Sequence, residues 1–285
     1  MMVHKGQVQT NFGQSAVTYD EYAIVQKEMA RELLAKIKST GCRFQTILEI
    51  GCGTGFFTEL LAREYPKALI TALDIAPEMI AIAKERLSGF ANIRYLIADG
   101  ENLRVGKDSL GEPSFDLIVS NVVFQWFSDY STAFAQYYAL LNTGGHLIFS
   151  TLGAGTFKEL YGCLNNSSRV KTQLELTCRE ERTKRQPFIE RKFLQDYLSE
   201  TGFTSVDIEE VTKRDYFKSC RSFLRALKKI GANHCLDETL AMQGRGSSIF
   251  SLIKSYDSVF SNEQGVFATY QCLYGCAQRE GEKDD

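Results

Sequence analysis

Short apolar runs alternate with stretches in which apolar positions recur every three or four residues. The runs TILEI (46–50), ALITALD (68–74), IRYLIAD (93–99), FDLIVSN (115–121) and GGHLIFSTL (144–152) are nearly continuous, as in strands covered on both faces. Helical spacing fills the intervals at 56–65, 76–87 and about 130–141. An amphipathic helix over 19–38, with Ile24, Met29, Leu33 and Leu34 among charges, precedes the first strand. This alternation predicts an α/β fold, a mostly parallel doubly wound sheet.

Past residue 152 the pattern loosens. Residues 153–186 are mixed and polar, 189–201 reads as a helix ended by Gly202, and 203–211 as a strand. A basic amphipathic helix follows at 219–232, a helical segment at 245–260 and a last strand at 267–278. Insertions are therefore expected at 153–186 and 215–263, near the carboxyl edge of the sheet where ligands sit. The tail REGEKDD is expected to fray.

Composition narrows the function. The 285 residues carry a formal net charge of -2, which offers no global attraction to nucleic acid or an anionic membrane. Eight cysteines contain no C-x-x-C pair or zinc spacing, so they read as reduced thiols and no metal is expected. The opening MMVHKGQVQTNFG has no apolar core, and no stretch approaches the roughly 18 uninterrupted apolar residues of a spanning helix. A cytoplasmic enzyme is the expectation.

The chemistry concentrates at ILEIGCGTGFF (47–57). Gly51, Gly53 and Gly55 form G-x-G-x-G, not the G-x-G-x-x-G of dinucleotide sites, and no Gly-Lys-Ser/Thr of a phosphate loop is present. Glu49 beside this loop opposes a phosphate and suits an ammonium group. Asp74, ending the second strand 23 residues after Gly51, stands where a carboxylate accepts ribose hydroxyls. Asp99, before Gly100, stands where an adenine amino group is within reach. A nucleoside with a cationic amino-acid tail meets all three; the alternative is that Asp74 and Asp99 only cap the following helices.

With these residues the chain resembles the class I S-adenosylmethionine-dependent methyltransferases, whose first motif is similar to LEIGCGTG. That resemblance implies a Rossmann-like domain over 1–285 with its cofactor-binding core at 44–152 and helical lid insertions. It implies S-adenosyl-L-methionine as cofactor, bound by Tyr19, Glu49, Gly51, Cys52, Gly53, Gly55, Asp74, Ile75, Met79, Asp99, Gly100, Glu101 and Asn121. Cys52 itself reads as small filler in the turn.

A finer resemblance runs from 12 to 278 through FGQSAVTYDEYAIVQKEMARELL (12–34), SNVVFQWF (120–127), FSTLGAGTFKEL (149–160), FLRALKKIGANH (223–234) and TYQCLYGCAQ (269–278). These blocks are similar to the malonyl-[acyl-carrier protein] O-methyltransferases of biotin synthesis. The resemblance implies a helical flap at 12–40, a final strand at 264–278, and methyl transfer to the free carboxylate of malonyl-acyl carrier protein. Family members commonly carry Asn-Arg-Phe where this chain has Gln186-Pro187-Phe188, with Arg185 one place earlier.

A carboxylate is already ionised near neutral pH, so the reaction needs no general base. Tyr19 and Trp126 are the candidate catalytic residues: the Tyr19 hydroxyl to bond the acceptor or restrict water, Trp126 to wall its pocket, against a packing role for each. Substrate binding is expected from Gln125, Trp126, Arg225, Lys228 and Lys229. The alternative for the last three is a solvated face or a docking patch for the acidic carrier. Basic residues at 213–214, 218 and 221 extend that patch. His234 reads as a helix-end residue. Two other functions share these features: a small-molecule carboxyl methyltransferase of trans-aconitate type, and a non-catalytic cofactor-binding protein.

Overall fold

The computed structural model describes residues 5–103, 115–167, 188–232 and 247–280. Two helices, α1 (Lys5–Tyr22) and α2 (Ile24–Ser39), lead into β1 (Thr46–Ile50). There follow α3 (Phe56–Glu64), β2 (Leu69–Asp74), α4 (Pro77–Arg86), β3 (Ile93–Ile97), β4 (Phe115–Asn121), a 3-10 turn at Phe124–Trp126, α5 (Tyr130–Leu140) and β5 (Leu141–Leu152). The remainder is α6 (Lys158–Ser167), α7 (Arg191–Thr201), β6 (Phe203–Phe217), α8 (Cys220–Lys229), α9 (Ser247–Val259), β7 (Ser261–Asn262) and β8 (Gly265–Arg279).

The sheet order is β3-β2-β1-β4-β5-β8-β6, with β7 pairing β8. Strands β1 to β5 are parallel, and β8 runs antiparallel between β5 and β6. Successive residues of β1 feed opposite faces: Ile47 joins a core under α2, α3, α6, α8 and α9, and Leu48 joins one under α5 and α7. Both are fully buried. That explains why the strands read as unbroken apolar runs.

Local signals set the ends. Pro77 opens α4, the Asp129 carboxylate caps α5 by accepting from Thr132 N–H (2.9 Å), and Gly202 at φ 101° closes α7. Ser219 and Ser222 form a reciprocal capping box on α8.

Three boundaries differ from the sequence reading. The single helix expected over 19–38 is two helices broken at Ala23, and α1 begins well before the expected flap at 12. Strand β6 continues to Phe217, pairing with β8 through residues assigned to the second insertion. Most of 153–186 and the segment containing His234 lie outside the described residues, as do Arg185, Gln186 and Pro187. Among the described residues no helix is long and apolar enough to cross a membrane.

Candidate functional site

Strand β1 runs into a loop whose glycines adopt left-handed backbone at Gly51 (φ 72°) and Gly53 (φ 53°). A Cβ at Gly51 would lie 2.3 Å from Val123 Cγ2, so this turn packs directly on the chain leaving β4. At Gly53 no atom lies within 4 Å of that position. Bare backbone there faces open space.

The loop is tied to β2. Gly53 N–H donates to Asp74 Oδ2 (2.9 Å) and Ala76 N–H to Oδ1 (2.8 Å), which leaves each oxygen further acceptor capacity. Burial pushes Asp74 up to about 6, against the backbone N–H groups of Ala76, Gly53 and Ile75. Burial pushes Glu49 up to about 8; the Thr58 hydroxyl opposes the rise and the charge of Asp74 adds to it. Glu49 is 1% exposed, and its Oε2 has no hydrogen-bond partner. An orphaned carboxyl oxygen at this depth suits an ammonium group, which would favour its ionised form, and not a phosphate, which would oppose it.

Three cavities meet at the carboxyl edge of the sheet, where the strand order reverses between β1 and β4. One of about 620 Å3 runs from Gly51 and Gly53 past Asp74, Ile75 and Met79 to Asp99 and Gly100. A second, about 380 Å3, is bordered by Glu49, Cys52, Lys27 and Asn121. The third, about 460 Å3, is largely apolar, walled by Phe157, Phe188, Leu227, Ile230 and Tyr270. Tyr19 borders all three, and Trp126 separates the first from the third. Phe12 packs edge-on against Trp126, 5.4 Å between ring centres.

Helix α1 roofs this junction, with Lys5, Val8, Phe12 and Tyr19 facing down at helical spacing. Two clamps hold it. At its end Asp20 pairs with Arg86 and accepts from the Thr54 hydroxyl (3.0 Å), while Arg86 also donates to the Thr54 carbonyl (3.0 Å). At its start Lys5 pairs with Glu101 and with Asp99 (3.3 Å), 4.7 Å from the Phe127 ring centre. Lys27 Nζ donates to the Asp20 carbonyl (2.6 Å) and is the cation bordering the second cavity among the described residues.

Backbone strain marks the third cavity. Val122 (φ 57°) and Phe157 (φ 56°) both border it in left-handed backbone, which costs a non-glycine residue about 1–3 kcal/mol. Their amides are held by the carbonyls of Ser150 (2.9 Å) and Thr269 (2.7 Å).

Comparison with known proteins places this site in a lineage. Residues 47–145 match the family described as methyltransferase domain. The chain is 33% identical over 285 residues to the malonyl-[acyl-carrier protein] O-methyltransferase of Bacillus anthracis, covering 99% of this chain and 100% of that one. It is 36% identical to the protein of that name from Paenibacillus sp. (strain JDR-2), over 94% and 97% of the two chains. The chain belongs to the malonyl-[acyl-carrier protein] O-methyltransferase family. The fold alone is shared with the YcgJ protein of Bacillus subtilis (TM-score 0.58, 17% identity, 88% of this chain and 98% of that one). The same holds for Haemonchus contortus phosphoethanolamine N-methyltransferase 2 (TM-score 0.52, 18% identity, 88% and 52%). These neighbours carry the Rossmann-like class I methyltransferase architecture expected from the motifs.

Within this methyltransferase the expected residues divide. Tyr19, Glu49, Gly51, Cys52, Gly53, Asp74, Ile75, Met79, Asp99, Gly100 and Asn121 border the first two cavities. Gly55 lies behind them as the N-cap of α3. Glu101 instead holds the loop after β4, accepting from Ser128 N–H (2.8 Å) and Asp129 N–H (2.6 Å). Burial, with the charges of Asp74 and Glu49, pushes the Cys52 thiol well up, as befits filler. Gln125 borders the third cavity, but both ends of its amide are engaged, by the Val122 carbonyl (2.9 Å) and the Thr151 hydroxyl (3.0 Å).

Arg225, Lys228 and Lys229 are not brought to the third cavity. Helix α8 turns Leu227 and Ile230 into it, and the three cations line a groove on the other side, against α1. The basic patch is also smaller than expected: Lys213 pairs with Glu32 (2.6 Å) and Glu28 (3.5 Å), and Arg214 stacks on Phe267.

Proposed function

We propose that this protein transfers the methyl group of S-adenosylmethionine to the free carboxylate of malonyl-acyl carrier protein, forming a methyl ester. The observation that carries the reading is the junction at Tyr19, where two cavities that hold the carboxylates of Glu49, Asp74 and Asp99 meet a third, largely apolar one without a charged residue in its lining. Asp74 faces the ribose, Asp99 and Gly100 the adenine, and the orphaned oxygen of Glu49 the donor's ammonium. Lys27 supplies the opposite charge for its carboxylate. S-Adenosylmethionine, when bound, brings a methyl already activated by its sulfonium.

The chain's own contribution is alignment and dryness. Tyr19 and Trp126 wall the line from acceptor to donor, and α1 closes it from above. Burial, with Asp74 and Asp20 nearby, holds the Tyr19 phenol neutral, so it acts as a hydrogen-bond donor to the acceptor carboxylate. Tyr19→Phe should lower kcat about tenfold while donor affinity changes less than about threefold, as expected for one lost hydrogen bond at the reacting group. An unchanged kcat leaves the ring a packing role only.

Lys27→Gln should weaken S-adenosylhomocysteine binding about 10–30-fold, the range for one charge-assisted hydrogen bond. Methylthioadenosine, which lacks the amino-acid tail, should bind both proteins alike by calorimetry. Equal losses for the two ligands would remove Lys27 from the tail site.

The carrier is proposed to approach over the exposed basic side chains Lys218 and Arg221 at the start of α8. Incubation with malonyl-carrier protein and S-adenosylmethionine, followed by mass detection of one added methyl group, tests the reaction. Preferential methylation of free malonate would overturn it.

A further inference from the structure

The groove between α1 and α8 is built as an anion site. Arg225, Lys228 and Lys229 line it from α8, and none has a carboxylate partner among the described residues. From α1 it is lined by Asn11, 7% exposed, whose Oδ1 accepts from Gln7 Nε2 (2.7 Å) and whose Nδ2 has no partner. The accepting end of the amide is thus spent and the donating end is left over. The other hydroxyls present are also turned to carbonyls: Ser15 donates to the Lys228 carbonyl (3.2 Å) and Thr18 to that of Lys229 (2.9 Å). These bonds satisfy the end of α8, whose dipole Lys228 and Lys229 also complement. They explain neither Arg225 nor the unused amide of Asn11. Among the described residues no carboxylate lines the groove.

The groove and the apolar acceptor cavity share their walls. On α1, Asn11 faces the groove and the next residue, Phe12, faces the cavity; at the end of α8, Lys229 faces the groove and the next residue, Ile230, the cavity. Gly231 (φ 75°) lets the two elements touch, since a Cβ there would lie 3.0 Å from the Asn11 carbonyl oxygen. A ligand with its anion in the groove therefore has its chain within about one helix diameter, roughly 10 Å, of the cavity.

We propose that this groove binds the phosphate of the phosphopantetheine arm that carries the malonyl group, holding it at the mouth of the acceptor cavity. The inference rests on the malonyl-carrier reading above. It reassigns Arg225, Lys228 and Lys229 from the acceptor carboxylate to the opposite end of the arm. A carrier-linked phosphodiester and the phosphates of coenzyme A share this chemistry, and the test separates them.

The double variant Arg225→Gln/Lys228→Gln, both exposed positions, is compared with the wild type on four acceptors. These are malonyl-carrier protein, malonyl-phosphopantetheine, malonyl-coenzyme A and phosphate-free malonyl-pantetheine. The expected result is a KM increase of about 10–100-fold for malonyl-carrier protein and malonyl-phosphopantetheine and a change below twofold for malonyl-pantetheine. Malonyl-coenzyme A losing as much assigns the groove to any pantetheine phosphate; losing less assigns it to the carrier's phosphodiester. A comparable loss on malonyl-pantetheine would return the cations to the acceptor carboxylate and overturn the proposal. A loss confined to intact carrier protein would make the groove a contact for the carrier's acidic surface and overturn it too. Phosphopantetheine binding is read separately by calorimetry without donor. A chain that takes it up through these cations yet methylates no malonyl thioester would keep the groove and lose the reaction.

Discussion

Glu49→Gln should weaken S-adenosylmethionine binding by about 30–100-fold and at the same time raise the melting temperature of the ligand-free protein at pH 8. Both follow from one buried carboxyl. Glu49 is 1% exposed, has an unpartnered Oε2, and is pushed up to about 8 by burial, with the Thr58 hydroxyl opposing and Asp74 adding. In the unfolded chain it titrates near 4.3. Below that value both states hold the proton and folding is not penalised. As pH rises toward 8, the unfolded state ionises while the folded state keeps its proton, so stability falls. Each unit of difference is worth about 1.4 kcal/mol, a penalty of a few kcal/mol once both states are ionised. The amide does not ionise, and a gain of about 3–6 °C is expected at pH 8 with little at pH 4.

Donor binding runs the other way. An ammonium beside Oε2 favours the carboxylate, so uptake near pH 7 should release up to one proton, and wild-type affinity should climb between pH 6 and pH 8. Asp74, at about 6, loses acceptor capacity at the low end and steepens that climb. Calorimetry in buffers of different ionisation enthalpy reads the proton directly, and Glu49→Gln should abolish its release. A variant that binds as tightly as wild type, or is no more stable at pH 8, would remove Glu49 from the donor site.

The parts of the site legible in the sequence are those built by one short stretch. Buried parallel strands advertise themselves as unbroken apolar runs, and the glycine loop, Glu49 and Asp74 sit at strand ends whose position follows from those runs. The roof was less legible. Helix α1 buries Asn11 and Ser15 beside Val8 and Ala16, a mixed face with little apolar contrast, so the apolar spacing marks neither its start nor its break from α2. Its clamps join residues distant along the chain, Asp20 to Arg86 and Lys5 to the buried Glu101, and charged residues carry no local sign of such pairing. Helix α8 reads in the sequence as basic and amphipathic. Which of its faces meets the third cavity depends on where α1 lies against it, so the placement of the three cations in a separate groove has no local sign in the sequence.

Alanine at Gly51 and at Gly53 should damage the protein in two separable ways. Each pays about 1–2 kcal/mol for left-handed backbone, at φ 72° and φ 53°. At Gly51 the new Cβ also meets Val123 Cγ2 at 2.3 Å. Val123 cannot retreat freely, because Val122 before it is already strained at φ 57° and the 3-10 turn at Phe124–Trp126 follows at once. Overpacking of this kind adds about 1–3 kcal/mol. Gly51→Ala should therefore lower the melting temperature by several degrees and lose donor and acceptor binding together, since Val123 borders the first cavity and Val122 the third. At Gly53 the Cβ meets nothing in the ligand-free protein. The melting temperature of Gly53→Ala should fall by only a few degrees, yet the methyl group projects into the space the donor needs and affinity should drop at least 100-fold. Acceptor-arm binding should survive in this variant, because Gly53 does not border the third cavity. Thermal melts beside donor and phosphopantetheine titrations decide it. If Gly53→Ala binds the donor normally, the open side of that glycine faces solvent and the nucleoside lies elsewhere.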